Sequence, residues 1–149
     1  MKPGFSIIVP LLSAALCLST APAGAAEVLS GPLEARVLQV LDGDTIEVAA
    51  RVWPGQEVRT RVRLAGIDTP ELRGKCPAER EAAERARAFL AAAVADGRVA
   101  LHDVRYGKYA GRVLARVLAA DGRDLGRALI DERLARPYAG GKRRPWCTG

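Results

Sequence analysis

The chain contains 149 residues, which is enough for one domain of ordinary size, and no repeat or change of composition indicates a second domain. Its hydrophobic fraction of 49% can supply a core, while no apolar run is long enough to cross a bilayer comfortably. The formal net charge of +6 favours polyanionic partners, but many exported proteins are basic without binding nucleic acid, so the charge alone excludes little.

Residues 1–26 have the three parts of a secretory signal peptide. Lys2 supplies the positive charge, residues 7–18 form the apolar stretch, and small residues at 23–25 suit a cleavage site. The apolar stretch is short for a membrane span, and an uncleaved anchor is the alternative. We therefore expect a periplasmic or secreted protein, with no membrane attachment after cleavage and a mature domain over residues 27–149.

The mature chain would keep two of the three cysteines, because Cys17 leaves with the signal peptide. Two cysteines in an oxidising compartment most simply form a disulfide, and free thiols are the alternative. A bridge between Cys76 and Cys147 would close a loop of roughly 70 residues, which is worth about 4 kcal/mol in the chain-entropy model. It would also tie the end of the chain to the loop that follows Glu71.

Three strands are predicted in the first half of the mature chain, after a loose lead-in at 27–31. Their apolar runs span 33–41, 45–50 and 58–67. An Asp-Gly dipeptide at 42–43 is a strong turn signal between the first two strands. A Trp-Pro-Gly-Gln turn at 53–56 separates the second strand from the third.

A helix over 77–95 follows, and it begins with a proline, which suits a first helical turn. Two more strands are predicted at 99–104 and 113–119, and Asp124 is the predicted N-cap of a second helix over 125–134. Five strands with a helix after the third fit a small Greek-key barrel of the OB type, an α+β fold that is mainly β and has two to three helices. An open α+β sheet is the competing arrangement.

Two acidic motifs follow predicted strands, Asp-Gly-Asp-Thr at 42–45 and Asp-Thr-Pro-Glu at 68–71. Each motif alone is more often a turn or a strand end than a functional site. If the two strands are neighbours, however, three or four carboxylates meet at one place, and such a group is tolerated mainly around a cation. Calcium prefers hard oxygens of this kind, and Pro70 would stiffen the chain so that a backbone carbonyl can point at the ion.

Two arginines suggest that the cation helps to bind a phosphate. Arg63 lies on the strand that delivers Asp68, and Arg112 opens a later strand, although either could simply belong to a solvated sheet face. Two guanidinium groups facing one metal-bound phosphate suit a pentacoordinate phosphorus transition state. Glu71 could orient or deprotonate a water molecule. The single histidine, His102, lies in a strand pattern and is better explained as structural than as a catalytic base.

Four runs of the sequence, in this order, resemble the thermonuclease family of staphylococcal-nuclease-like proteins. The runs are VLDGDTI at 40–46, RLAGIDTPE at 63–71, KYAGRVLA at 108–115 and ADGRDLGRALI at 120–130. The resemblance covers about residues 33–138. It implies an OB-type barrel and calcium-dependent hydrolysis of DNA and RNA that leaves 3′-phosphate ends.

The resemblance also implies a set of metal ligands. Asp44 and Asp68 would be the carboxylate ligands of Ca²⁺, and Thr69 would contribute its backbone carbonyl. Asp42 matches a position of the motif whose role is nearer to support than to ligation.

Catalytic and substrate-binding roles follow in the same way. Glu71 matches the family glutamate that acts as general base or positions the water, and Arg63 and Arg112 match the two phosphate-binding arginines. Lys108 and Tyr109 lie where the family often holds the phosphate at the end of the substrate.

The C-terminal part matches the family less closely. Tyr138 could stack on a base, as suits a barrel that binds single strands. Ala110 is inserted before the Gly-Arg pair that contains Arg112, which shifts the alignment of Tyr109. We expect no counterpart of the final helix of the best-known family member, and we expect the bridge from Cys147 to hold the tail in its place.

Three functions agree with these features. The first is an exported calcium-dependent endonuclease that cleaves DNA and RNA, favours single-stranded regions and acts as a monomer. The second is a noncatalytic nucleic-acid-binding module of the OB fold, whose mark would be the loss of an acidic or arginine site residue. The third is a calcium-stabilised extracellular interaction module, which would show no salt-sensitive affinity for nucleic acid.

Overall fold

Five strands close into a barrel in the computed structural model of the protein, which describes residues 27–108 and 111–147. The strands are β1 (Val28–Leu29), β2 (Leu33–Val40), β3 (Thr45–Trp53), β4 (Gln56–Leu64), β5 (Ile67–Asp68), β6 (Arg98–Tyr106), β7 (Arg112–Ala119) and β8 (Arg136–Pro137). The helices are α1 (Pro77–Ala93) and α2 (Leu125–Asp131). The predicted signal peptide over 1–26 lies outside the described residues, as does Tyr109.

The barrel consists of β2, β3, β4, β7 and β6. The first three strands form an antiparallel meander, β6 pairs with β2, and β7 pairs with β4 in parallel. The antiparallel pairing of β6 with β7 then closes the sheet. The predicted OB-type barrel is therefore confirmed, with two helices in the described part of the chain. The competing open sheet is wrong, because β6 and β7 are joined by a ladder of hydrogen bonds.

The core lies inside the barrel, where alternate strand residues point inward as the period of two requires. Its largest fully buried strand residues are Ile46, Val48, Val62, Leu64, Leu101 and Val117. One face of α1 joins the same core, since Ala86 and Leu90 are fully buried against it. Among the described residues, no helix is both long and apolar enough to cross a membrane.

The third predicted strand is divided in two. β4 ends at Leu64, and the chain turns at Gly66, whose φ of 80° favours glycine, before β5 begins. β5 leaves the barrel and pairs with β8 instead. The expected continuous strand over 58–67 is therefore wrong, because the left-handed residue redirects the chain just before Asp68.

Two short strands lie where the sequence predicts a loose lead-in or no element at all. Residues 28–29 of the expected lead-in pair with β6, and residues 136–137 of the tail pair with β5. Two-residue strands are too short to show an alternating pattern, which explains why the sequence did not reveal them. The helices end earlier than predicted, at Ala93 and Asp131, while the expected N-cap is confirmed because the Asp124 carboxylate accepts the Arg127 N–H at 3.0 Å.

Candidate active site

The first acidic motif forms the turn between β2 and β3. The Asp42 side chain accepts the backbone N–H of Asp44 at 3.0 Å, and this contact shapes the turn. The backbone carbonyl of Asp44 accepts the Leu64 N–H at 2.8 Å, which ties the turn to the end of β4. Asp42 thus supports the turn, and the carboxylate of Asp44 is buried with only 2% of its surface exposed.

Gly43 lets α1 approach this turn closely. A Cβ atom on Gly43 would lie 2.7 Å from the Cβ of Ala86 and 3.3 Å from that of Thr69. Ala86 belongs to α1 and Thr69 to the second acidic motif. Because Gly43 has no side chain, the helix, the turn and the second motif can pack against one another.

Arg63 joins the two acidic motifs. Its guanidinium forms an ion pair with Asp44 Oδ2, lies 4.0 Å from Asp68 Oδ1, and donates to the Ile67 carbonyl at 3.3 Å. The side chain is 13% exposed, so these charges interact with little screening by solvent. Arg63 therefore occupies the space between the two carboxylates expected to bind a cation.

Burial raises the pKa of the Asp44 carboxyl to about 6. The guanidinium of Arg63 acts in the opposite direction, and the neighbouring carboxylate of Asp42 raises the pKa further. The hydroxyl of Thr45, which donates to Asp44 Oδ1 at 2.8 Å, favours the ionised form. A cation beside a buried carboxyl of this kind would lower its pKa and keep it ionised.

The donor atoms fit a hard cation. Asp44 Oδ2 and Asp68 Oδ1 are buried and accept no well-formed hydrogen bond, although each lies in an ion pair with an arginine. Thr69 is buried beside them, with Pro70 after it. Two carboxylate oxygens and a backbone carbonyl are the kind of ligands that calcium accepts.

Arginine side chains lie between the carboxylates that the sequence predicts to converge. Among the residues described, one group of three acidic, histidine or cysteine side chains lies at metal-ligating distance, Cys76, Glu79 and Cys147, and its sulfurs form a disulfide. Asp44 and Asp68 instead share Arg63. A guanidinium thus holds together carboxylates that would otherwise repel one another.

Glu71 lies at the exposed edge of the site, with 53% of its side chain accessible. The buried carboxylate of Glu79, in the first turn of α1, faces the backbone N–H of Glu71 at 3.4 Å and accepts that of Lys75 at 3.1 Å. Sequence reasoning missed Glu79. An acidic residue in the first helical turn was visible, but such residues normally serve the helix dipole, and the loop partners lie earlier in the chain.

Arg143 enters the site from the C-terminal tail. Its Nε lies 2.6 Å from Asp68 Oδ1, and its terminal nitrogen forms an ion pair with Glu71. The sequence showed only a basic cluster at 142–144. Nothing local distinguishes Arg143 from the adjacent Arg144, because the distinction depends on the path of the tail.

The other predicted site residues are arranged around this centre. Arg112 begins β7 and is half-buried. It lies opposite Arg61 on β4, so it shares the barrel face of Arg63 two positions away. Lys108 is exposed in the β6–β7 connection, next to Tyr109, which lies outside the described residues.

Tyr138 holds the tail in place. Its hydroxyl donates to the Gly141 carbonyl at 2.7 Å, and its backbone N–H donates to the Gly66 carbonyl at 2.9 Å. Its predicted stacking on a base stays a prediction. The structure also contains the expected disulfide between Cys76 and Cys147, which attaches the end of the tail to the start of α1.

The fold and site together define an OB-type barrel protein whose buried acid–arginine cluster can hold a cation and a phosphate. The family model described as staphylococcal nuclease homologue matches residues 61–145, which is more than half of the chain, and the protein belongs to this family. The family generally consists of metal-dependent nucleases, and membership implies that the protein binds nucleic acid. The match includes the second acidic motif and begins after the first. No curated protein matches the chain significantly.

The close approach at Gly43 leads to a stability prediction. Gly43→Ala should lower the free energy of unfolding by about 1–3 kcal/mol, because the new methyl group overlaps Ala86 in a packed region. Urea denaturation measures this change. Ala86→Gly should partly compensate in the double variant, so that the two changes together cost at least about 0.5 kcal/mol less than their sum. Strict additivity would show that the two residues do not press on each other.

Proposed function

We propose that the protein is an exported, calcium-dependent endonuclease that hydrolyses DNA and RNA and leaves 3′-phosphate ends. The observation that carries the proposal is the placement of Arg63 between the buried carboxylates of Asp44 and Asp68, with Glu71 linked to the same cluster through Arg143. Family membership supports the phosphodiester substrate. The disulfide supports export, because such bonds persist in oxidising compartments.

The residues divide the chemistry between a cation and a phosphate. Asp44, Asp68 and the carbonyl of Thr69 would hold the calcium ion, which would neutralise charge on the phosphate. Arg63 now pairs with the two carboxylates. With Asp44 and Asp68 holding the ion, the guanidinium of Arg63 would be able to donate its hydrogen bonds to the phosphate instead.

Hydrolysis then requires a positioned water molecule and stabilisation of the phosphorane-like transition state. Glu71 orients the water or accepts its proton as the oxygen adds to phosphorus. The bond to the 5′ oxygen breaks, and the leaving oxygen takes a proton from solvent, which gives a 3′-phosphate and a 5′-hydroxyl. Arg63 and Arg112 stabilise the charge that develops on the phosphate oxygens, and their rigid, forked shape suits that geometry.

Several finer features belong to the same proposal. We expect activity as a monomer and a preference for single-stranded regions, since unstacked bases can lie on the barrel surface, with Tyr138 as a stacking partner. Lys108 and Tyr109 would bind a phosphate next to the cleaved bond. The noncatalytic alternative predicts loss of an acidic or arginine site residue, and the sequence retains all of them.

The decisive assay incubates the mature protein with plasmid DNA and with RNA, in calcium or in a calcium chelator. We expect cleavage of both substrates in calcium and none in chelator. Asp44→Asn should require far more calcium for half-maximal activity, because one of two carboxylate ligands is lost. Binding without cleavage under every condition would support the noncatalytic module instead. Equal calcium requirements of the unmodified protein and Asp44→Asn would show that Asp44 is not a metal ligand.

Arg63→Lys tests the phosphate role. The lysine keeps the positive charge beside Asp44 but loses the planar fork, so kcat should fall by about 10²–10³-fold, as when one preorganised donor is removed. Arg98→Lys, at an exposed arginine outside the cluster, is the matched control and should leave kcat unchanged. Steady-state kinetics at saturating calcium distinguish the two variants, and near-normal turnover by Arg63→Lys would contradict the role.

Arg143→Gln should increase the affinity for calcium. The guanidinium of Arg143 competes with the ion for Asp68, and a partly exposed ion pair is worth up to about 1 kcal/mol, so the gain should be about fivefold at most. Arg144→Gln removes the same charge from the adjacent, exposed position and provides the control. Calorimetric titration with calcium measures both. Equal gains in the two variants would mean that only net charge matters.

A further inference from the structure

The tail of the protein is attached to the site at both ends. Its first residue in β8, Arg136, is the strand partner of Asp68, and Pro137 is the partner of Ile67. Its last described residue, Cys147, is bonded to Cys76 at the start of α1. The segment between these two points is therefore held close to Asp68.

Trp146 lies next to the disulfide and contacts the carboxylate directly. Its indole N–H donates a hydrogen bond to Asp68 Oδ2 at 3.2 Å. The guanidinium of Arg136 covers the indole ring at 3.5 Å from its centroid, and it donates to the Pro145 carbonyl at 3.1 Å. Asp68, Arg136 and Trp146 thus form a closed set of contacts that fixes the position of the indole.

The contact makes the two oxygens of Asp68 unequal. Oδ2 accepts from the indole, while Oδ1 is buried, accepts no well-formed hydrogen bond and faces the guanidinium groups of Arg63 and Arg143. A donor on one oxygen stops the carboxylate from rotating, so the other oxygen is presented to the site in one orientation. Outer partners of this kind commonly change metal affinity by about 10–100-fold when they are removed.

We propose that Trp146 is a positioning residue that orients the carboxylate of Asp68 for calcium, and that the Cys76–Cys147 bridge keeps it in place. This inference rests on the proposed calcium site. It assigns a role to the tail that its composition of glycine, proline and basic residues does not suggest. The proposed role depends on the indole N–H and not on the size of the ring, so a substitution that removes only the N–H tests it directly.

Trp146→Phe removes the N–H and keeps an aromatic ring under Arg136. In calorimetric titrations with calcium alone, the dissociation constant should rise by about tenfold or more. At saturating calcium, kcat should stay within about twofold of the original, because excess ion restores the occupied site. A merely structural role would instead lower thermal stability in chelator without changing the calcium dissociation constant.

Trp53→Phe is the matched control. Trp53 is the other tryptophan of the chain, and it is 71% exposed at the hairpin between β3 and β4. Its replacement should leave calcium affinity unchanged. If the unmodified protein binds calcium and Trp146→Phe binds it equally well, the positioning role is wrong while the proposed function stands. If the unmodified protein binds no calcium, both are wrong.

A measurement on the unmodified protein serves if Trp146→Phe does not fold. The two tryptophans should give two indole N–H signals in a ¹H–¹⁵N spectrum, and the Trp53→Phe variant identifies which is which. Saturation with calcium should shift the Trp146 signal, because its acceptor becomes a metal ligand, and leave the Trp53 signal in place. An unmoved Trp146 signal in a calcium-saturated protein would overturn the proposal.

Discussion

The buried ion pair between Asp44 and Arg63 is the interaction on which the rest of the site depends. The two side chains are 2% and 13% exposed, and they come from different elements, the β2–β3 turn and β4. Removing one partner of a buried pair costs about 3–5 kcal/mol, because the other charge stays buried without compensation. The barrel holds these elements together through the bond from the Leu64 N–H to the Asp44 carbonyl, so a folded barrel forces the pair to form.

Ion pairs with arginines also explain how the fold tolerates several acidic side chains close together. Arg63 pairs with Asp44 of the first motif, and Arg143 pairs with Asp68 and Glu71 of the second, so each guanidinium offsets part of the negative charge. A protein that binds a cation and a phosphate at such a cluster need not create or bury new charges. In the proposed mechanism, the carboxylates would change partners from guanidinium to cation, and the guanidinium would change from carboxylate to phosphate. If the site binds the proposed ion, the same internal ion pairs would compete with it for the carboxylates.

Sequence reasoning succeeded where a feature is local. The alternating strands, the Asp-Gly turn and the Asp124 cap each depend on a few neighbouring residues and on fixed backbone geometry. The disulfide followed from simple counting, since two cysteines remained. The break after Leu64 was missed, because a single glycine with positive φ redirects the chain to Asp68 without disturbing the apolar pattern. Glu79 was missed as well, because its partners are backbone N–H groups of a loop.

The sequence by itself determined the residue types of the site, including Asp44, Asp68 and Arg63, and it placed Asp44 in the turn before β3 and Arg63 on a strand. Only the tertiary structure decided which arginine and which aromatic residue reach them from the tail. Arg143 meets Glu71 across 72 positions, and Trp146 meets Asp68 across 78. The physical reason is the range of each constraint. Strand and helix patterns repeat over two to four residues, whereas these contacts depend on β8 pairing with β5 and on the bridge that anchors the last turn of the tail.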